Sequence, residues 1–277
     1  MGASIVNDGG ATMMCKFNMR LAGWMLAATF LAGGNVHAQQ DTAKAAQPAV
    51  AEEIDLIRHG ESEDNLDAGK PVVSLSGRIM PSSGKILSGW NAASLTMRGV
   101  AQAVKAGETL KAADAAAAVP LSQAMWVYSP QLRTQQTLAG VLTGAGMADA
   151  ATLAAARPDT RVMERSAGDV TNLTWEQAAD VWPEMKKGKA ARVFHNAEFG
   201  YPNGESLALV YKRSAAALDD YMRQSKRVVI VSHELTIKAM LAHLLQGKIT
   251  DDAFKVKVNN AGVISLRRSG DHWMLVQ

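Results

Sequence analysis

The sequence predicts an α/β protein, a three-layer α/β/α sandwich with a mostly parallel central sheet and a small cap. Two observations support this fold class. Short and continuously apolar segments such as EIDLIR and VVIVS alternate along the chain with longer segments of helical periodicity. Strands that are apolar on both faces are typical of parallel sheets covered by helices on each side.

The N-terminal segment reads as an export signal rather than as part of the fold. Lys16 and Arg20 precede the apolar run LAGWMLAATFLAGG, and small and polar residues follow it. This order predicts a signal peptide over residues 1–38 with cleavage after Ala38, and hence a periplasmic or secreted protein. A membrane anchor is the alternative, but a spanning helix needs about 20 apolar residues, so no stable anchoring is expected after cleavage. Residues 39–53 are polar and unpatterned, which predicts a flexible leader.

The remaining residues, 54–277, form one predicted domain in which elements follow in a regular order. EIDLIR is the first strand, and a helix follows Thr96. AMWVYS is the second strand, and a helix follows Pro130. A further helix follows NGES, and KRVVIVSH is the third clear strand with a helix directly after it. GVISLRR and HWMLVQ are predicted to close the domain as a pair of strands around a Ser-Gly-Asp turn.

Two segments interrupt this alternation. Residues 66–94 are rich in Gly, Ser and Pro, and residues 165–203 combine a short helical pattern with a polar loop. Long excursions from compact domains are often functional. We therefore predict an inserted loop and a cap, both close to the functional site.

Composition excludes several classes of function. The formal net charge of +3 is small, and no block of Lys and Arg interleaves with aromatic residues, so nucleic acid is not an expected partner. The one cysteine, Cys15, lies within the predicted signal peptide. The mature chain therefore has no disulfide, no thiolate nucleophile and no cysteine ligand for a metal.

Basic side chains stand at the ends of the three strands. The first strand ends in Arg58, His59 and Gly60, the second is followed by Arg133, and the third ends in His233. The carboxyl ends of parallel strands meet at one edge, where α/β proteins collect their functional groups. Two Arg and two His at one place repel each other unless an anion lies among them. Since guanidinium groups match phosphate oxygens and helix N-termini add N–H donors, the sequence predicts a phosphoryl site.

Each residue also has a simpler explanation on its own. A single strand-end histidine is more often a structural residue than a catalytic one, and Arg133 and Glu164 could be ordinary surface charges. A zinc site formed by His59, His233 and Glu164 is the alternative interpretation, but two adjacent arginines oppose a cation. No metal and no cofactor are therefore expected.

The motif LIRHGESEDN resembles the opening pattern of the histidine phosphatase superfamily, whose members are phosphoglycerate mutase-like. The resemblance continues in order through LTMRGVAQA, YSPQLRTQQT, VMERSAGDVTNLTWEQA, YPNGES and VIVSHELTIKAMLAHLL. Six ordered blocks spread over residues 54–265 are far more specific than a lone Arg-His-Gly. Within the family, RHGESEDN, ERSAGDVTNLTWEQ and YPNGES are most similar to fructose-2,6-bisphosphatase and broad phosphatase members, whereas LSGWNAASLT is closer to the mutases.

The resemblance implies a role for each matched residue. His59 would be the nucleophile that forms a phosphohistidine, and Glu164 would give a proton to the leaving alcohol. The phosphoryl oxygens would be held by Arg58, Arg133 and His233, and the rest of the substrate would lie near Asn65 and Gly89.

Two positions depart from the family pattern. Glu234 follows His233, where many members have a small or neutral residue, and Asn172 stands where a glycine is common. A carboxylate near a phosphate site should weaken anion binding unless it points away or pairs with a neighbouring cation. Its place in the first turn of a helix favours an outward direction, since a negative charge suits a helix N-terminus.

The expected activity is metal-independent hydrolysis of small phosphate monoesters. The alternatives are phosphoryl transfer of the phosphoglycerate mutase type and a catalytically weak protein that binds phosphorylated ligands. A predicted signal peptide favours the phosphatase, because glycolytic intermediates are not expected outside the cytoplasm. The sequence does not select one phosphate ester or an oligomeric state.

Overall fold

A six-stranded sheet organises the domain in the computed structural model. Its order is β3-β2-β4-β1-β5-β6. The strands are β1 Glu53–Arg58, β2 Met125–Tyr128, β3 Arg157–Pro158, β4 Arg227–Ser232, β5 Val263–Ser269 and β6 His272–Leu275. The first four strands pair in parallel, and the two C-terminal strands join antiparallel at one edge. The predicted mostly parallel sheet and its closing pair of strands are confirmed.

The structure describes one compact unit of the chain. The described residues are 50–65, 93–171, 173, 175–184 and 195–276. The predicted signal peptide, Gly89, Asn172 and most of the leader and of the 66–94 insert lie outside these ranges. Strand β1 begins at Glu53, one residue before the predicted start of the domain.

Helices cover both faces of the sheet, as expected for a three-layer sandwich. They are α1 Met97–Asp114, α2 Leu132–Ala145, α3 Ala150–Ala155, α4 Trp175–Val181, α5 Leu207–Met222 and α6 Glu234–Gln246. Ile54, Leu56 and Ile230 point to one face and pack with α5 and α6. The alternate residues Ile57 and Val229 belong to the cluster formed with α1 and α2 on the other face. The predicted three-layer architecture is confirmed.

Helix boundaries follow local capping chemistry. The Thr96 hydroxyl accepts from the Gly99 amide at 3.0 Å and begins α1, and the Ser206 hydroxyl accepts from Leu209 at the start of α5. Gly146 ends α2 in the left-handed region, at φ 74°. The short strand β3 and the preceding helix α3 show no clear hydrophobic periodicity in the sequence, and neither was predicted from it.

Buried ionic contacts hold the central strands in register. The Asp55 carboxylate lies 2.9 Å from Arg227 Nε, and both side chains are almost completely buried. The same carboxylate accepts from the Ser265 hydroxyl on β5. A slip of one residue would separate these partners and leave buried charges uncompensated, so Asp55 ties both neighbouring strands to β1.

The predicted cap region contains α4 and a small apolar cluster of its own. Ala167, Val170, Ala178 and Ala179 are buried there, and Tyr201 packs against them. A cover over the site remains a prediction for this segment. No helix in the described ranges is long and apolar enough to cross a bilayer.

The loop after β1 lies directly against the first turn of α1. A methyl group added to Gly99 would lie 2.0 Å from the Glu61 carbonyl oxygen, and one added to Gly60 would lie 2.4 Å from the Gly99 carbonyl oxygen. The structure shows that these two glycines allow helix α1 to reach the loop that carries His59.

Substitution of Gly99 by alanine should therefore destabilise the domain. The new methyl group meets backbone atoms of Glu61, and the clash is relieved only if helix α1 and the loop move apart. We therefore expect the free energy of unfolding to fall by about 2–3 kcal/mol. Gly247→Ala is the control, since its left-handed φ costs only about 1–2 kcal/mol and no atom lies within 4 Å of its added methyl group. Urea unfolding followed by circular dichroism measures both. Equal losses would contradict the close contact.

Candidate active site

Parallel pairing brings the ends of three strands to one edge. Arg58 lies level with Ser232, and Tyr128 lies level with Val231. The next residues continue this pairing, since the His59 amide donates to the Ser232 carbonyl at 2.9 Å. The histidines predicted from separate strands therefore emerge side by side.

The two histidine rings are in contact and buried. The ring centroids of His59 and His233 lie 5.2 Å apart, and the residues are 4% and 0% exposed. His59 Nδ1 lies 2.8 Å from the Gly60 carbonyl oxygen. Because a carbonyl can only accept, Nδ1 carries the proton and Nε2 keeps its lone pair. The local backbone thus selects the tautomer in which Nε2 can act as a nucleophile.

His233 occupies the boundary between β4 and α6. It is the N-terminal capping residue of α6, and its Nε2 lies 2.8 Å from the fully buried Ser129 hydroxyl. Its Nδ1 is buried without a hydrogen-bond partner in the described part of the chain. The ring is therefore held by Ser129, a residue at the end of β2 that sequence reasoning did not assign.

The two predicted arginines lie beside these rings. Arg58 ends β1, and Arg133 is the second residue of α2 and only 1% exposed. Burial, followed by the charges of Arg133 and Arg58, holds the pKa of His59 well below its usual range. Burial and then the charge of Arg133 do the same for the pKa of His233. Both imidazoles are thus neutral near pH 7, and the positive charge of the cluster comes from the guanidinium groups.

Two helices begin at this edge. Helix α2 starts at Leu132, beside Ser129, and α6 starts at Glu234, beside His233. Helix N-termini favour anions because their first amide groups have no partner within the helix. Arginines, neutral histidines and helix N-termini together give a site suited to a phosphoryl group.

The segment that carries Glu164 begins in a short 3-10 helix over Thr160–Val162 and is firmly held. Four successive carbonyl groups, from Arg161 to Glu164, each accept a side-chain hydrogen bond. The donors are Arg213 to Arg161 at 2.7 Å, Ser232 to Val162 at 2.7 Å, Thr236 to Met163 at 2.6 Å and Arg213 to Glu164 at 3.2 Å. Because these donors stand on β4, α5 and α6, the segment is fixed to the elements that build the site.

Gln131 links Glu164 to the arginine cluster. The Gln131 amide oxygen lies 3.3 Å from the Glu164 backbone nitrogen and 3.4 Å from an Arg133 guanidinium nitrogen. The structure therefore brings the Glu164 backbone next to Arg133. The half-buried Glu164 side chain accepts a hydrogen bond from the Arg165 amide at 2.9 Å.

Glu205 supports this arrangement through its carboxylate. Its carboxylate accepts from two nitrogens of Arg213 at 2.8 and 2.9 Å and from the Ser166 amide at 2.9 Å. These contacts orient the Arg213 guanidinium group, which in turn donates to the carbonyl groups of Arg161 and Glu164. Sequence reasoning missed Arg213, because no local pattern marks its contacts.

Asn65 closes the loop that follows His59. Its side-chain oxygen accepts from the Ser62 amide and hydroxyl, both at 3.1 Å, and from Asn260 at 3.0 Å. The same Asn260 amide group donates to the His59 carbonyl at 3.3 Å. Asn65 is thus tied to the His59 loop, and its predicted contact with substrate stays a prediction.

Glu234 takes the second of its two expected arrangements. Its carboxylate pairs with neighbouring cations and does not point away from the site, since it lies 3.0 Å from Arg58 and 2.7 Å from Lys238. The attraction of two cations outweighs solvation, because both lie within reach of the first turn of α6. The departure from the family pattern therefore touches the site directly.

The alternative of a metal centre gains no support from the geometry. Among the described residues, no group of three or more His, Cys, Asp or Glu side chains is arranged to hold a metal ion. The residues around His59 and His233 are instead cationic, which suits an anion.

Comparison with known proteins identifies the family. The family model described as "Histidine phosphatase superfamily (branch 1)" matches residues 54–277. This chain belongs to that superfamily. The resemblance seen in the ordered motifs is therefore confirmed.

Curated relatives of this chain include two 2,3-bisphosphoglycerate-dependent phosphoglycerate mutases. The protein of Bartonella quintana is 26% identical over 193 residues, covering 68% of this chain and 79% of the relative. The protein of Mesorhizobium japonicum is 24% identical over 220 residues, covering 78% of this chain and 92% of the relative.

Solved structures share the fold. A mycobacterial glucosyl-3-phosphoglycerate phosphatase, solved as a complex with VO3, has a TM-score of 0.56 at 22% identity and covers 81% of this chain and 97% of its own. YhfR of Bacillus stearothermophilus has a TM-score of 0.61 at 19% identity and covers 81% and 95%. Both confirm the predicted fold class.

The lowered pKa values of His59 and His233 should be visible both in NMR spectra of the imidazoles and in the pH dependence of stability. An unperturbed histidine titrates at about pH 6.5, so ¹⁵N NMR of the imidazoles should show His59 and His233 still neutral at that pH. The unfolded chain then binds protons that the folded chain does not. The free energy of unfolding should fall as the pH drops below about 6.5, by up to about 1.4 kcal/mol per histidine and pH unit.

The variant His59→Gln provides the control, because it removes one of the two titrating groups. Its free energy of unfolding should depend less steeply on pH between about 6.5 and 5. A His59 ring that titrates at its ordinary value, with no difference in slope between the two proteins, would contradict the electrostatic account of the cluster.

Proposed function

We propose that this chain is an exported phosphomonoesterase that hydrolyses small phosphate esters through a phosphohistidine on His59. The observation that carries the proposal is the state of the His59 ring. It is buried and neutral, its Nδ1 proton is bound by the Gly60 carbonyl, and its Nε2 lone pair lies in a cluster with Arg58 and Arg133. A neutral imidazole among arginines combines a nucleophile with charge stabilisation for phosphorus chemistry.

In the first step, His59 Nε2 attacks phosphorus and the bond between phosphorus and the ester oxygen breaks. Glu164 in its acid form gives its proton to that oxygen, so a neutral alcohol leaves. Arg58 and Arg133 stabilise the charge on the transferring oxygens, which requires no metal. His233, held by Ser129, completes the set around the phosphoryl group.

In the second step, water attacks the phosphohistidine. Glu164, now a carboxylate, accepts a proton from the water, the bond between phosphorus and nitrogen breaks, and inorganic phosphate forms. The firmly held segment from Arg161 to Glu164 suits a group that must act twice from one position.

A phosphoglycerate mutase activity is the second candidate, favoured by the names of the curated relatives. A mutase must keep water from the phosphohistidine and needs a bisphosphorylated primer, whereas a phosphatase needs only access for water. The basic and apolar pattern before Ala38 supports export to the periplasm or the medium, and glycolytic intermediates are not expected there.

Hydrolysis by purified residues 39–277 tests the proposal. With EDTA present, we expect turnover of p-nitrophenyl phosphate that falls at least about a thousandfold in His59→Ala, because the nucleophile is lost. His272→Ala is the matched control, since His272 is an exposed histidine on β6 and should leave the rate unchanged.

The acid can be tested with two substrates. Glu164→Gln should lower kcat for an alkyl ester such as glycerol 2-phosphate by about 10² to 10⁴. It should affect p-nitrophenyl phosphate less, because p-nitrophenolate leaves without a proton. Interconversion of 2- and 3-phosphoglycerate primed by 2,3-bisphosphoglycerate, with no hydrolysis of any ester, would replace the phosphatase by the mutase.

A further inference from the structure

Glu234 forms a bridge between two cations at the start of α6. One carboxylate oxygen lies 3.0 Å from an Arg58 guanidinium nitrogen, and the other lies 2.7 Å from the Lys238 ammonium. Lys238 is nearly buried, with 7% of its side chain exposed, and Glu234 is 35% exposed. A negative charge is thus built into contact with one of the two arginines of the site.

Arg58 does not depend on Glu234 alone for its position. The nitrogen that faces Glu234 also donates to the Val258 carbonyl oxygen at 2.7 Å. The Arg58 Nε atom is buried and has no hydrogen-bond partner within the described ranges. This N–H group is a donor that a phosphate oxygen would satisfy. Glu234 therefore acts on anion binding mainly through its charge.

The sign of that charge opposes the ligand. A carboxylate beside Arg58 repels a phosphate dianion and offsets part of the attraction of the guanidinium group. Because Glu234 is only partly exposed, solvent screens this repulsion incompletely. The site therefore holds phosphate less tightly than its arginines alone would.

We propose that Glu234 sets the affinity of the site for the phosphate group and weakens it, so that inorganic phosphate is released readily. The inference rests on the proposed function, because it places phosphate in the same site. Substrate and product share the phosphoryl contacts, so a site that bound them as tightly as possible would be inhibited by its product. Glu234 is a tuning residue that acts through Arg58 and takes no part in bond breaking.

The test is the affinity of the variant Glu234→Gln for inorganic phosphate. Glutamine has the same shape and keeps an acceptor for Lys238 but removes the charge. Calorimetric titration at low ionic strength should show a dissociation constant lower than that of the wild type by about threefold to tenfold. The difference should shrink in 0.5 M NaCl, because the Debye length falls to about 4–5 Å and the repulsion between the carboxylate and phosphate is then screened.

Two further variants make the test specific. Glu108→Gln removes a carboxylate from an exposed ion pair with Lys105 on α1 and should leave the dissociation constant unchanged. If the buried Lys238 ammonium prevents Glu234→Gln from folding, the double variant Glu234→Gln/Lys238→Met removes both charges. It should still bind phosphate more tightly than the wild type, because the carboxylate is the charge in contact with Arg58.

The outcomes separate this inference from the proposed function. Unchanged or weaker phosphate binding by a folded Glu234 variant overturns the inference, while hydrolysis by the wild type would still support the phosphatase. Tighter binding together with a wild type that hydrolyses no ester keeps the inference and rejects the phosphatase. Failure of every form to bind phosphate also overturns the inference, and hydrolysis by the wild type then decides the proposed function separately.

Discussion

The parallel register of β2, β4 and β1 is the constraint on which the site depends. Arg58 opposite Ser232, and Tyr128 opposite Val231, place the residues that follow each strand at one level. His59, Ser129 and His233 come from distant parts of the sequence, and only this pairing makes them neighbours. The buried contact of Asp55 with Arg227 secures the register at the other end of the strands.

Charge balance is the second feature of the site. Four basic side chains at one place would repel each other strongly if all were protonated. Burial and the neighbouring arginines keep both histidines neutral, and Glu234 offsets part of the charge of Arg58. The remaining positive charge and the neutral His59 ring are what the proposed phosphoryl chemistry requires.

Much of this arrangement could be predicted from the sequence. Arg58, His59, Arg133 and His233 stand next to strand ends that their apolar runs make visible, and parallel pairing follows from the alternation of strands and helices. The supporting contacts could not be predicted in the same way. Arg213 meets the Glu164 carbonyl, and Ser129 meets His233, only after the chain has folded, and no local pattern marks such pairs.

Glu234 is a clearer example of a contact that could not be predicted from the sequence. Its place in the first turn of a helix favoured an outward direction on local grounds. The direction was decided instead by Arg58, which lies at the far end of the domain in sequence but on the adjacent strand in space. Local rules describe an isolated helix, whereas a partly buried ion pair depends on the whole fold.

The central claim is that His59 Nε2 carries the phosphoryl group during turnover. Rapid acid-free quenching of the protein with ³²P-labelled substrate, followed by peptide mapping, measures it directly. The account predicts label on His59 as the isomer phosphorylated at Nε2, because Nδ1 is engaged by the Gly60 carbonyl. Label on Nδ1 or on another residue, or rapid hydrolysis without any covalent intermediate, would contradict it.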